Sequence, residues 1–264
     1  MNILKPIKNH AGDTFRELLD IWEELDFCST TASPDDYCWV EEKGNILLYD
    51  FPRVDDKQIP TFKEGLFGNT VPNHPKCHPW IFWARSPRLL MKARQTPLLS
   101  YEDRSIESIF LGKIENGIQN NNRSKHDWSE AEIELFHCPR VPPQLAGPNH
   151  YPFTKEEYLE KLRQSKFGLC LSGYGPKCNR EIELLGMGVV PLFAPEVDNT
   201  YHEPLVEGVH FIRINNPKEL KKTIKSIDKN KWLEMYEAGQ DWYERNASPK
   251  GSFYTTKKIL ESLQ

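Results

Sequence analysis

The chain has 264 residues, with 34 Lys and Arg against 38 Asp and Glu, a net charge of −4, and 38% hydrophobic residues. That balance, with no Lys/Arg stripe, excludes the basic footprint of a nucleic-acid-binding protein, and the apolar content excludes a disordered chain. The length suits two compact domains of roughly 120–140 residues each.

In chain order, GDTFRELLDIWEELDF (12–27) spaces Phe15, Leu18, Leu19, Ile21, Trp22 and Leu25 as an amphipathic helix. NILLYDF (45–51) is a short apolar run between Gly44 and Pro52 and predicts a buried strand. Residues 52–80, rich in Pro, Gly, Asn and His, form a long irregular stretch of the kind that carries function. IFWARSPR (81–88), SIESIFLGKI (105–114) and IELFHC (133–138) predict strands, with a helix within 115–132. VPPQLAGPNHYPF (141–153) has the Pro and Gly density of a linker.

Beyond it, Thr154 and Glu157 make a capping box that opens a helix. FGLCL (167–171), the helix NREIELLGMG (179–188), the strand VVPLF (189–193) and the strand VHFIRI (209–214) follow. Helices at 216–227 and 230–246 and the closing segment FYTTKKILESL (253–263) complete the chain. The alternation from 154 onward implies a parallel sheet covered by helices, and residues 1–140 show a looser version of it. The expected organisation is an N-terminal domain over 1–140, a linker over 141–153 and a C-terminal domain over 154–264, whose last helix can pack back on the first domain.

No apolar run reaches the roughly eighteen residues of a membrane span. The start, MNILKPIKNHAGDTF, has no apolar core of a signal peptide. Of the six cysteines none forms a C-x-x-C pair, so a cytoplasmic chain with free thiols is expected, with no zinc or redox spacing.

The turn Ser172-Gly173-Tyr174-Gly175-Pro176 joins a strand to a helix. Its glycines let the backbone approach a ligand, and the helix that follows offers free N–H groups and a partial positive charge to an anion, typically a phosphate. Arg180 lies in the first turn of that helix, where a guanidinium can grip phosphate in bidentate fashion. Glu183, one turn on, suits the paired hydroxyls of a ribose. The turn is neither a P-loop nor a G-x-G-x-x-G fingerprint. An ordinary βα turn with a surface Arg–Glu pair is the competing explanation.

The string from Ser165 to Leu192 resembles the C-terminal motif of exostosin-like glycosyltransferases: an S-K-F strand, a Gly-containing turn, Arg180, Glu183 and the element Gly188-Val-Val-Pro191. SIFLGKIENGIQNNNR (108–123) resembles a second family element, in which Phe110, Gly112 and Arg123 hold the matching places. The resemblance covers roughly residues 105–215 and is nearest to small stand-alone members such as those of large algal viruses. It implies an α/β fold of GT-B type, with two facing Rossmann-like domains. It also implies transfer of a sugar from a nucleotide-sugar, by default a UDP-sugar such as UDP-xylose, to a glycan hydroxyl with inversion. The donor contacts it implies are Gly112, Arg123, the turn Ser172–Gly175, Arg180 and Glu183; Arg123 reaches the diphosphate from across the cleft. Cys178 stands where the family has Ser, which removes a hydroxyl contact.

No D-x-D triplet occurs, so no essential metal and no cofactor beyond the donor is expected. Transfer needs a base for the acceptor proton. Asp50 lies at the end of the strand 45–51, Asp55, Asp56, His74 and His78 follow it, and Asp55 and His78 rank first. Trp39, Trp80, Phe82 and Trp83 either stack on sugar or belong to the core. The rival functions are a nucleotide- or glycan-binding module without turnover and another nucleotide-sugar enzyme such as an epimerase.

Overall fold

The computed structural model describes residues 1–5, 15–33, 38–41, 46–48, 66–67, 77–114, 123, 125–137, 153–173 and 177–262. They fall into two compact units: Met1–Arg88 with Thr200–Pro204 and Glu244–Gln264, and Leu89–Asn199 with Leu205–Tyr243. The division falls at 88/89, upstream of the expected linker at 141–153.

Unit 1 is built on a six-stranded sheet in the order β2-β1-β3-β4-β5-β6. The strands are β1 (Asn2–Lys5), β2 (Ser29–Ala32), β3 (Cys38–Val40), β4 (Ile46–Leu48), β5 (Leu66–Phe67) and β6 (Cys77–His78). The sheet is mixed, because β3 runs antiparallel to β1 and to β4 while the other pairs are parallel. Only residues 41–45 separate β3 from β4, far too few for a parallel crossover. The looser alternation expected of residues 1–140 is thus a mixed sheet, parallel in three of its five pairs.

Helix α1 (Phe15–Glu24) buries Phe15, Leu18, Leu19, Ile21 and Trp22. Its Trp22 indole donates to the Pro249 carbonyl (2.9 Å) at the start of the last helix, α7 (Pro249–Ser262), and lies edge-on to Phe253. Trp80 and Trp83 are fully buried beside Phe15, and Phe82 is buried with them. These aromatics are core, so stacking on a sugar is not open to them. Residues 81–86, predicted as a strand, pair with no sheet among the described residues and lead into helix α2 (Pro87–Arg94). Burial of an apolar run gives the same sequence signal as a core strand, and Pro87 is a favoured helix-opening residue.

Unit 2 is a five-stranded, all-parallel sheet in the order β11-β10-β9-β7-β8. The strands are β7 (Ile106–Leu111), β8 (Leu135–His137), β9 (Ser165–Cys170), β10 (Val190–Phe193) and β11 (Ile212–Arg213). The predicted strands 105–114 and 133–138 thus join the sheet of 167–171 rather than that of the N-terminal residues, because β7 pairs directly with β9 (Ile106↔Ser165 to Ile109↔Gly168). The central strands are buried on both faces, as continuous apolar runs in a helix-covered parallel sheet must be.

Helix α3 (Lys155–Arg163) opens with both bonds of the Thr154–Glu157 capping box. Helix α4 (Asn179–Gly186) closes in a Schellman turn, with Gly188 N–H donating to the Leu185 carbonyl and Val189 N–H to that of Leu184. Gly188 takes φ +70, a conformation that only glycine adopts cheaply. Helices α5 (Leu220–Lys225) and α6 (Lys229–Asn246) follow. Trp232 and Tyr243 of α6 are buried, and Trp232 stacks on Tyr236.

Two buried guanidiniums brace this unit through main-chain carbonyls. Arg104 donates to Leu99, Ser165 and Met187, the last at the end of α4. Arg163 donates to Ala93, Thr96 and Pro97. No helix among the described residues is long and apolar enough to cross a membrane.

Candidate functional site

Counted within unit 2 alone, the strand order is 2-1-3-4-5, the order of a flavodoxin-like doubly wound sheet. In such sheets the chain leaves β7 toward one edge and β9 toward the other, and the crevice between their C-terminal ends is where ligands bind. Gly112 follows β7 and Ser172-Gly173 follow β9, so the two segments singled out in the sequence form the lips of this crevice.

Arg180, in the first turn of α4, reaches back to the β7 lip. Its Nη2 donates to the Leu111 carbonyl (2.7 Å), and its guanidinium lies 4.5 Å from the centre of the Phe110 ring. A Cβ on residue 112 would sit 2.5 Å from that Nη2, so glycine makes room for the arginine. Arg123 is buried and spans both lips, with Nε donating to the Ser172 carbonyl (2.5 Å) and Nη1 to the Lys113 carbonyl. The crevice therefore holds two fixed positive charges.

Glu183 faces α3, and the Tyr158 hydroxyl donates to its Oε2 (2.9 Å). Burial, reinforced by the Glu183 charge, pushes the Tyr158 hydroxyl well above its ordinary pKa, so it stays a donor. Cys178, in extended conformation before α4, donates its N–H to Glu181 Oε2 (2.9 Å). Burial pushes Glu181 up to about 7 and the Cys178 thiol up to about 12, which leaves the thiol without nucleophilic character. Lys177, nearly fully buried, lies 3.8 Å from Asp198 Oδ2. Ser172 is 1% exposed and its hydroxyl has no hydrogen-bond partner among the described residues.

Of the expected residues, Gly112, Arg123, Ser172, Gly173, Arg180 and Glu183 lie at or beside one crevice of one sheet. Tyr174 and Gly175 lie outside the described residues, as do Asp50, Asp55, Asp56 and His74. His78 is the second residue of β6 and pairs with Phe67 in unit 1. Sequence reasoning did not single out Tyr158, Lys177 or Glu181 as site residues: Tyr158 reads as one more apolar position of α3, and Glu181 as an ordinary first-turn carboxylate. Cavities of about 440 Å³ occur in unit 1, one of them lined by His202, Glu203, Arg245 and Tyr254. Among the described residues, no three His, Cys, Asp or Glu side chains are grouped to hold a metal ion. Searched against models of known protein families, the chain matches none.

Proposed function

We propose that the chain is a glycosyltransferase of GT-B type. It moves a sugar from a nucleotide-sugar, a UDP-sugar by default with UDP-xylose among the candidates, to a hydroxyl of a glycan acceptor, with inversion and without a metal. The observation that carries this is the pair Arg123 and Arg180 at the strand-end crevice of a parallel sheet. Their guanidiniums are held in place before any ligand arrives, which is what stabilising a leaving diphosphate requires. The first turn of α4 adds its partial positive charge on the same side. In the transfer step the acceptor O–H gives its proton to a base, the acceptor oxygen bonds the anomeric carbon, and the bond from that carbon to the diphosphate breaks, leaving its electrons on phosphate. Asp55 and His78 are the proposed bases. Glu183 takes the ribose hydroxyls.

One observation favours a second reading. Both guanidiniums are fixed on main-chain carbonyls, and the same fixed pair would serve a module that binds a nucleotide without turning it over. Thermal unfolding against UDP, GDP and CMP, with and without EDTA, followed by UDP release from UDP-sugars in the presence of glycan acceptors, separates the possibilities. A ligand at a hundred times its Kd adds about 2.7 kcal/mol, or roughly 5–10 °C in a chain of this size. The transferase predicts a shift with one nucleotide family, unchanged by EDTA, and acceptor-dependent UDP release. A shift without release supports the binding module. No shift and no release would overturn both.

A further inference from the structure

Immediately beyond β10 the chain makes a tight turn, Ala194-Pro195-Glu196-Val197, closed by the Val197 N–H on the Ala194 carbonyl (3.1 Å). Arg213 of β11 fixes it by donating to the carbonyls of Ala194 (2.9 Å) and Val197 (2.6 Å). A side chain at the third position of such a turn normally faces water. That of Glu196 does so only in part: the residue is half-buried, both carboxylate oxygens are covered, and neither accepts a hydrogen bond among the described residues. A buried carboxylate without donors is costly, and such groups call for a ligand.

A second orphan lies on the neighbouring strand end. β9 and β10 pair in parallel up to Cys170↔Phe193, so Ser172 and Glu196 lie two and three residues past that last pair, at one edge of the sheet. The Ser172 hydroxyl is also buried and unpartnered among the described residues. The Lys177–Asp198 ion pair joins the two loops.

We propose that Glu196 and Ser172 form the subsite for the hydroxyls of the transferred sugar, next to the diphosphate crevice, and that it selects neutral sugars against uronic acids. This rests on the glycosyltransferase reading. Sugar hydroxyls supply the donors that the carboxylate lacks and both accept from and donate to a serine. A phosphate or a second carboxylate would meet like charge.

The test is calorimetric titration of UDP, UDP-xylose, UDP-galactose and UDP-glucuronic acid into the wild type, Glu196→Gln and Ser172→Ala. The wild type should bind a neutral UDP-sugar about tenfold or more tightly than UDP-glucuronic acid. Glu196→Gln should keep its UDP affinity while the extra affinity for neutral sugars falls about tenfold, and Ser172→Ala should lose a smaller part. The Glu196→Gln protein should also unfold at a higher temperature without ligand, which shows that it folds. Unchanged sugar preference in Glu196→Gln would overturn the subsite with the transferase reading intact. If none of UDP, GDP and CMP binds the wild type, that reading falls. The subsite is then judged by saturation-transfer NMR with methyl β-xyloside and methyl β-galactoside: a wild-type signal that vanishes in Glu196→Gln upholds it, and an absent or unchanged signal overturns it.

Discussion

Arg180 occupies the space that a side chain at position 112 would need. A Cβ there would lie 2.5 Å from Arg180 Nη2, the nitrogen that donates to the Leu111 carbonyl, and 3.0 Å from the edge of Phe110. The nearest atom is the far end of a flexible side chain, so Gly112→Ala should fold and simply displace the guanidinium. The loss of one hydrogen bond costs about 1 kcal/mol, a small drop in Tm. Nucleotide affinity should fall about tenfold or more, because a charge-assisted hydrogen bond to phosphate goes with the displaced guanidinium. Calorimetry with UDP beside a melting curve checks this; full affinity in Gly112→Ala would remove Arg180 from the site.

Glu181 makes stability depend on pH in a defined window. Burial raises its folded pKa to about 7, from an ordinary 4.5, so the folded chain holds this proton to higher pH than the unfolded chain. Its contribution to stability is complete below about 4.5 and is lost as the pH rises through about 7, a change of roughly 3 kcal/mol. Glu181→Gln should abolish that loss and be the more stable protein at pH 8, with the advantage shrinking toward pH 5. His202, whose pKa burial lowers, works in the opposite sense: its contribution is present above its ordinary value and lost as the pH falls. The difference between wild type and variant in urea titrations cancels that term. Parallel curves for the two proteins would show that Glu181 ionises normally.

The sequence made unit 2 legible and unit 1 much less so, for physical reasons. β9, α4 and β10 announce themselves because a strand buried on both faces must be an unbroken apolar run, and a helix stop needs a residue such as Gly188. The Thr154–Glu157 box was readable because both of its bonds are local. β2, by contrast, is the largely exposed segment Ser29–Ala32, with no apolar alternation to mark it. The pairing of β7 with β9 joins residues more than fifty positions apart, and only the fold reveals that it sets Gly112 and Arg123 beside the Ser172 turn. That same pairing moved the boundary between units from 141–153 to 88/89. Nor could residue type mark Glu196, since what distinguishes it is a covered carboxylate without a partner among the described residues.

Two glycines outside the crevice should respond to alanine very differently. At Gly251 in α7 a Cβ would run into the Glu244 carbonyl oxygen and the Arg245 carbonyl carbon, main-chain atoms that cannot step aside. Gly251→Ala should cost about 3 kcal/mol or more, by forcing apart the junction of α6 and α7 in unit 1. At Gly208 the space is open within 4 Å and only φ +75 is unfavourable, so Gly208→Ala should cost about 1 kcal/mol. Urea unfolding of the two variants gives the comparison. Equal losses would mean that the chain turn at Gly251 relaxes freely.

Glu183 separates the ribose end of the proposed ligand from its phosphate end. Its carboxylate accepts from the Tyr158 hydroxyl at 2.9 Å, which fixes its position, and an ionised carboxylate can take further donors on its remaining lone pairs. Glu183→Gln keeps the shape and removes the charge. Affinity for UDP should fall about tenfold, since hydrogen bonds to a charged acceptor are the stronger kind. Affinity for pyrophosphate should stay the same or rise, because a negative charge beside the anion is gone. 2′-Deoxy-UDP should bind the wild type about as weakly as UDP binds the variant, and the variant should no longer distinguish the two nucleotides. If the variant still prefers UDP to its deoxy form by the wild-type factor, Glu183 serves only to anchor Tyr158 and α3, and the ribose must be read elsewhere.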